Sequence, residues 1–201
     1  MNTTSPVRRL SEDTRADLLV ALVVVFALAL GWVYKSSLAT RTTRAADPNS
    51  QFSLAIPSHW LTHESDSEDT FLVAENPNAD SVYKSAVTGQ SFLLDPQSPT
   101  ALDTLTDGLI LRHGEELTGY HLLDIQSRMI GGAEARVVEY AYVVQPIDQP
   151  FRASMPVVVR AFEYLIYTPT EYWLLTFTAD ERLVEKEREG FERMIGSIQL
   201  P

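Results

Sequence analysis

Apolar positions follow three different rhythms along this chain. Residues 18–34, LLVALVVVFALALGWVY, form a run of seventeen residues without a charge. At 1.5 Å per residue a helix of that length spans about 25 Å, at the short end of what a bilayer core requires. Trp32 and Tyr34 close the run, where amphipathic rings favour the headgroup level, and Arg15 and Lys35 bracket it. Residues 35–50 are polar with scattered apolar residues and read as a tether. From residue 51 onward the rhythm alternates between period two and period 3.6.

Period two comes first. Residues 52–56 read as a strand stopped by Pro57, and 70–74 (TFLVA) and 91–94 (SFLL) as two more. A helix follows, with Ser98 as its cap and Pro99 at its first position. Leu102, Leu105 and Leu109 make its apolar stripe, with Ile110 beside it and Gly114 closing it after His113. Residues 120–130 and 133–144 flank Gly131-Gly132, a two-residue hairpin signal that sets Ile130 opposite Ala133. That register gathers Leu123, Ile125, Met129, Val138, Tyr140 and Tyr142 on a greasy face. It gathers Asp124, Gln126, Arg128, Ala135, Val137 and Glu139 on a wetter one.

A second hairpin joins 156–167 to 171–178 through Thr168-Pro169-Thr170, with bulk on both faces, as central strands have. Thr178 and Glu181 have capping-box spacing, predicting a helix from there to about Ile195, with EKERE as its solvated face. Residues 197–200 add a short last strand or trail off.

Charge divides the chain at the same place as hydropathy. Six basic and four acidic residues precede Ser50; ten basic and twenty-three acidic residues follow, for a net −11. A body at −13 repels phosphate backbones, which excludes nucleic acid as a partner. The chain has no cysteine, so disulfides, thiol nucleophiles, thiolate metal sites and lipid attachment to cysteine are excluded.

The chemistry-bearing constellations are few. His59 and His63 stand four apart with Glu64 adjacent. On a helical turn both imidazoles would share a face, as a metal site needs; in a loop they are solvated residues. Asp124 and Glu139 face each other in the first hairpin, where paired carboxylates raise a pKa, hold a cation, or are neutralised by Arg128 or Arg136. Trp60, three residues after Pro57, is either a lid folded back on the sheet edge or an aromatic that contacts a partner. G-x-S-x-G, a P-loop and G-x-G-x-x-G are all missing from the sequence. The chain is therefore expected to act by binding and not as an enzyme, with no cofactor.

The opening strand with Pro57 and Trp60, the mid-chain amphipathic helix, the Gly-Gly hairpin, the aromatic strand running into a helix and the closing IGSIQL (195–200) together resemble the PsbP-like superfamily. That superfamily includes PsbP, DcrB-type lipoproteins and a Ran-binding import factor. The resemblance implies an α+β fold, one antiparallel sheet with helices on both faces (α/β/α), and action by binding. It carries over no metal-ligand or Ran-contact residue. DcrB-type members attach lipid to a cysteine, so here the anchor falls to the apolar run.

The expected organisation is a cytoplasmic tail (1–17), one transmembrane helix (18–34), a flexible tether (35–50) and a PsbP-like domain (51–201). Three basic residues lie on each side of the run, so charge does not set its orientation. The resemblance favours a domain outside the cytoplasm on a single-pass anchor in the cell membrane. Ser37-Leu38-Ala39 leaves open a cleaved signal peptide and secretion. The expected function is docking on a protein partner as an accessory or assembly subunit of a membrane or envelope complex. Binding of a small ligand or metal ion on the same fold is the alternative.

Overall fold

The computed structural model describes residues 12–39, 41–98, 100–145 and 155–200, with side chains of 12–16 and 34–39 left aside. The chain divides into two units, Met1–Arg41 and Thr42–Pro201. In the first, the described residues form a helix, α1 (Glu12–Ala39). It extends beyond the predicted apolar run at both ends, because nothing in 12–17 or 35–39 breaks a helix. Its described residues from Leu18 to Val33 are exposed on all sides. That uncharged stretch is about 24 Å long, and among the described residues no helix is long and apolar enough to cross a membrane. The predicted tail falls mostly outside the described residues.

The second unit holds two antiparallel sheets. β1 (Thr42–Ala46) and β2 (Ser53–Pro57) form a hairpin with Ala46 opposite Ser53 and Thr42 opposite Pro57. This corrects the expected tether over 35–50: its first part is helix and its second part is strand. The turn is built by Asp47, whose carboxylate accepts from the Asn49 amide (2.9 Å) and the Ser50 hydroxyl (2.9 Å). Pro57 ends its strand as expected.

The larger sheet has seven strands: β3 (Leu61–Thr62), β4 (Thr70–Glu75), β5 (Ala86–Leu93), β6 (His121–Ile130), β7 (Ala133–Val144), β8 (Val157–Tyr167) and β9 (Glu171–Asp180). Their spatial order is β3-β4-β5-β9-β8-β7-β6. Gly131 (φ 58°) and Gly132 (φ 90°) turn β6 into β7 with Ile130 opposite Ala133, the predicted register. A bulge at Leu122/Asp124 breaks that ladder near its far end. At Gly89 in β5, a Cβ would lie 2.6 Å from the Phe71 ring, so only glycine lets this side chain cross the strand.

Helices lie on both faces. Phe162, Tyr164 and Ile166 of β8 and Trp173, Leu175 and Phe177 of β9 point to one face, which packs against β2 and α3 (Val184–Gly196). Leu165 and Leu174 point to the other, under α2 (Leu102–Glu116). Val138, Tyr140 and Ala161 continue this second core. The prediction of a greasy and a wet face for the first hairpin is corrected. Ala135, Val137 and Ile130 are buried against α3, whereas Leu123, Ile125 and Met129 are exposed. β7 is covered on both faces, and β6 is an edge.

Helix starts also differ from expectation. Ala101, not Ser98, is the N-cap of α2, and Pro99 lies outside the described residues. Gly114 stays inside the helix, which ends at Leu117, whose amide donates to the His113 carbonyl. Thr178 remains in β9, and Asp180 takes over at the strand end by accepting from the Arg182 amide (3.0 Å). α3 then starts at Val184. The strand ladder claims Thr178 before the helix can.

Candidate functional site

Three places on the second unit bring together groups able to bind or react. The first is a buried polar seam under α2. Glu163 is in the middle of β8, 2% exposed. One carboxylate oxygen accepts from His113 Nε2 of α2 (2.7 Å) and the other from Thr176 Oγ1, directly across the ladder on β9 (2.9 Å). The rings of Tyr140 and Tyr120 lie 4.8 and 6.1 Å from His113. Burial first, and the nearby Glu163 carboxylate second, push the Tyr140 and Tyr120 hydroxyls up from their ordinary pKa. Tyr83 extends the seam, donating to Thr178 Oγ1 (2.9 Å). With the His113 side chain only 12% exposed, the seam is shielded from substrate. It pins α2 to the sheet.

The second place is a cleft of about 240 Å³ between α2 and the β5–β9 end of the sheet. Leu105, Leu109, Leu165 and Leu174 line it, with Phe92 stacked on Tyr172 at 4.9 Å. Gly108 leaves the helix side open: a Cβ there would meet nothing within 4 Å. Arg112 stands at the lining without an ion pair among the described residues.

The third place is the outer edge of β6. Its ten residues form one border of the large sheet, whereas the other border, β3, is two residues long. Leu123 (43% exposed), Ile125 (44%) and Met129 (67%) leave it bare and apolar. Asp124, Gln126 and Arg128 occupy the α3 side. Asp124 accepts from Gln126 Nε2 (2.6 Å), and Arg128 pairs with Glu192 (3.2 Å). Beyond its bulge, from Asp124 to Ile130, this edge has exposed apolar side chains and no proline or lysine, and is a template for another strand.

The residues singled out from sequence do not assemble into a site. The chain is in a turn at His59 and extended at Leu61–Thr62, so His59 and His63 share no helical face. His63 pairs instead with Glu75 (3.4 Å), Glu64 is exposed, and no metal-holding group of three such side chains occurs among the described residues. Trp60 is in the core, its amide donating to the Pro57 carbonyl (3.0 Å) and its ring edge-on to Phe191 at 6.4 Å. That is a packing position. Asp124 and Glu139 do face each other, but Arg160 takes Glu139 through a charge-assisted hydrogen bond. Arg128 and Arg136 go elsewhere, Arg136 to Asp103 (2.8 Å). Sequence reasoning missed Glu163 entirely. Its signal was there: a single carboxylate inside the apolar run VVVRAFEYLIY calls for a buried partner.

No protein-family model matches the chain, and no curated protein matches it by sequence. Solved structures do share its architecture. Cyanobacterial PsbP (CyanoP) from Synechocystis sp. PCC 6803 superposes with a TM-score of 0.59 at 10% identity, over 80% of this chain and 92% of that one. The fold is PsbP-like. LpqN, involved in cell envelope biogenesis of Mycobacterium tuberculosis, matches at a TM-score of 0.53 and 14% identity, over 80% of this chain and 91% of its own. At such identities the likeness concerns the PsbP-like scaffold alone.

Proposed function

We propose that the chain is a membrane-anchored, extracytoplasmic protein-binding domain, an accessory or assembly subunit of a membrane or envelope complex, acting by docking and not by catalysis. The observation that carries this reading is the open β6 edge, apolar on one side and regular from Asp124 to Ile130, past its bulge. An extended segment of a protein partner adds there as an eighth strand, the backbone ladder supplying affinity and Leu123, Ile125 and Met129 supplying contact area. The uncharged run of residues 18–34 in the sequence, bracketed by Arg15 and Lys35, supports the anchor, and an anchor raises the effective concentration of the domain at the membrane. The envelope role of LpqN is compatible with such a place in the cell.

Affinity capture after gentle detergent extraction tests the docking surface. Ile125→Asp with Met129→Asp should lose the proteins that the unaltered chain retains, at an unchanged melting temperature. Retention of the same proteins by both would refute the edge as the docking surface. Resistance of the chain to alkaline extraction from membranes tests the anchor; release into the supernatant refutes it.

The cleft under α2 supports a second reading, a small-ligand module. Its apolar floor and its single unpaired cation suit a medium-chain carboxylate. Decanoate should raise the melting temperature of the unaltered chain and leave Gly108→Leu unmoved, since a side chain there enters open space and fills the cleft. An equal response of the two refutes a ligand in this cleft.

A further inference from the structure

Resting on the β6 edge as the docking surface, we infer that the strand it accepts is β6 of a second copy of the chain, antiparallel and centred on Gln126. Three observations lead there. First, the strand is locally neutral. His121–Ile130 carries one aspartate and one arginine, in a body where acidic residues outnumber basic ones more than twofold. Two copies meet with least repulsion along this border.

Second, the strand is complementary to itself when reversed. With Gln126 opposite Gln126 of the second copy, Asp124 falls opposite Arg128 of that copy, and Arg128 opposite its Asp124. Directly opposed residues share a face and stand about 4.5–5.5 Å apart. Two oppositely charged pairs therefore form on the α3 side. Arg128 already reaches toward that face in its contact with Glu192, and Asp124 meets no cation among the described residues, accepting from the side-chain amide of Gln126 and the backbone amide of Ile125. The same alignment sets Ile125 opposite Ser127 of the second copy and carries Met129 toward the bulge at Leu123 of that copy. A slip by one residue opposes Asp124 to Met129 and loses the charge pairs.

Third, the pairing closes on itself. A two-fold interface uses the same patch on both copies and leaves no further β6 edge exposed. The remaining borders are the two-residue β3 strands, too short to template a further addition. The product is a dimer with one continuous sheet, and not a fibre.

The cysteine-free sequence makes the test direct. In membranes bearing the full chain, Gln126→Cys sits on the two-fold axis, within the Cα separation a disulfide spans. Mild oxidation should convert it to a covalent dimer at least tenfold faster than Thr62→Cys, on the opposite border. Ser127→Cys, off the axis, should lag with the control. Asp124→Arg introduced into the Gln126→Cys chain should slow crosslinking at least tenfold, and adding Arg128→Asp should restore it. Equal rates at positions 126 and 62, or indifference to the charge reversal, would overturn the self-pairing. Circular dichroism of each variant guards against misfolding as the cause. The inference and its parent reading fail separately. If β6 substitutions abolish capture of other proteins while Gln126→Cys stays monomeric, the edge is the docking surface and the partner is not a second copy.

Discussion

Glu163 shows how a single side chain constrains its surroundings. Removing its partner His113 leaves a buried carboxylate with only the Thr176 hydroxyl. His113→Ala should therefore cost about 2–4 kcal/mol in urea unfolding, and Glu163→Gln, which keeps shape and one hydrogen bond, about half of that. A cost below about 0.5 kcal/mol for His113→Ala would show that α2 is held by its leucines alone. Asp180 makes the acid limb of stability. The Arg182 guanidinium, bonding at 2.6 and 3.0 Å, and the Ser81 hydroxyl at 2.6 Å hold this carboxyl well below the usual carboxylate range. A lowered pKa in the fold means that the stabilisation is complete above about pH 4 and fades as pH falls through the folded value. Asp180→Asn should lose stability at pH 7 and lose less than the unaltered protein between pH 4 and 2. Parallel pH–stability curves for the two would contradict this assignment.

Elements differed in how legible they were. The Gly131-Gly132 hairpin and its register were readable because this two-residue turn takes positive φ at both central positions, which glycine adopts without strain. Gly131→Ala should accordingly cost about 1 kcal/mol or more, since its Cβ would also meet Leu200 at 3.0 Å; a neutral effect on the melting temperature would remove the turn from this account. The β8–β9 hairpin was readable from bulk on both faces. β1 was not, because TTRAA has no alternation to betray it; Asp47-Pro48-Asn49-Ser50, a turn signature, was the signal overlooked. The start of α3 was misplaced because the β9 ladder keeps Thr178, and that of α2 because Ser98 belongs to a turn begun at Asp95. The exposed face of β6 could not be read at all. Period two shows that Ile125 and Met129 share a face, but not that α2 stops short of covering it.

At the scale of the molecule, every described core cluster draws its residues from the second unit, from Phe52 to Ile198. A chain reduced to 42–201 should thus melt cooperatively at the temperature of the full protein in detergent, within about 3 °C. A loss of ten degrees or more would mean that α1 contributes to the body. For the histidine pair, the opposed carboxylates and Trp60 the sequence left a site and a packing role both open, and the fold places them in a loop, beside an arginine and in the core. The backbone bridge between Ser53 and Gln199, closed by hydrogen bonds of 2.9 and 3.0 Å, has one more effect. It sets the last residues of the body against the hairpin with which the body begins. Joining those two ends by a short loop and cutting the chain anew at Pro169 would rearrange the order of the strands in the gene while sparing every ladder in the sheet.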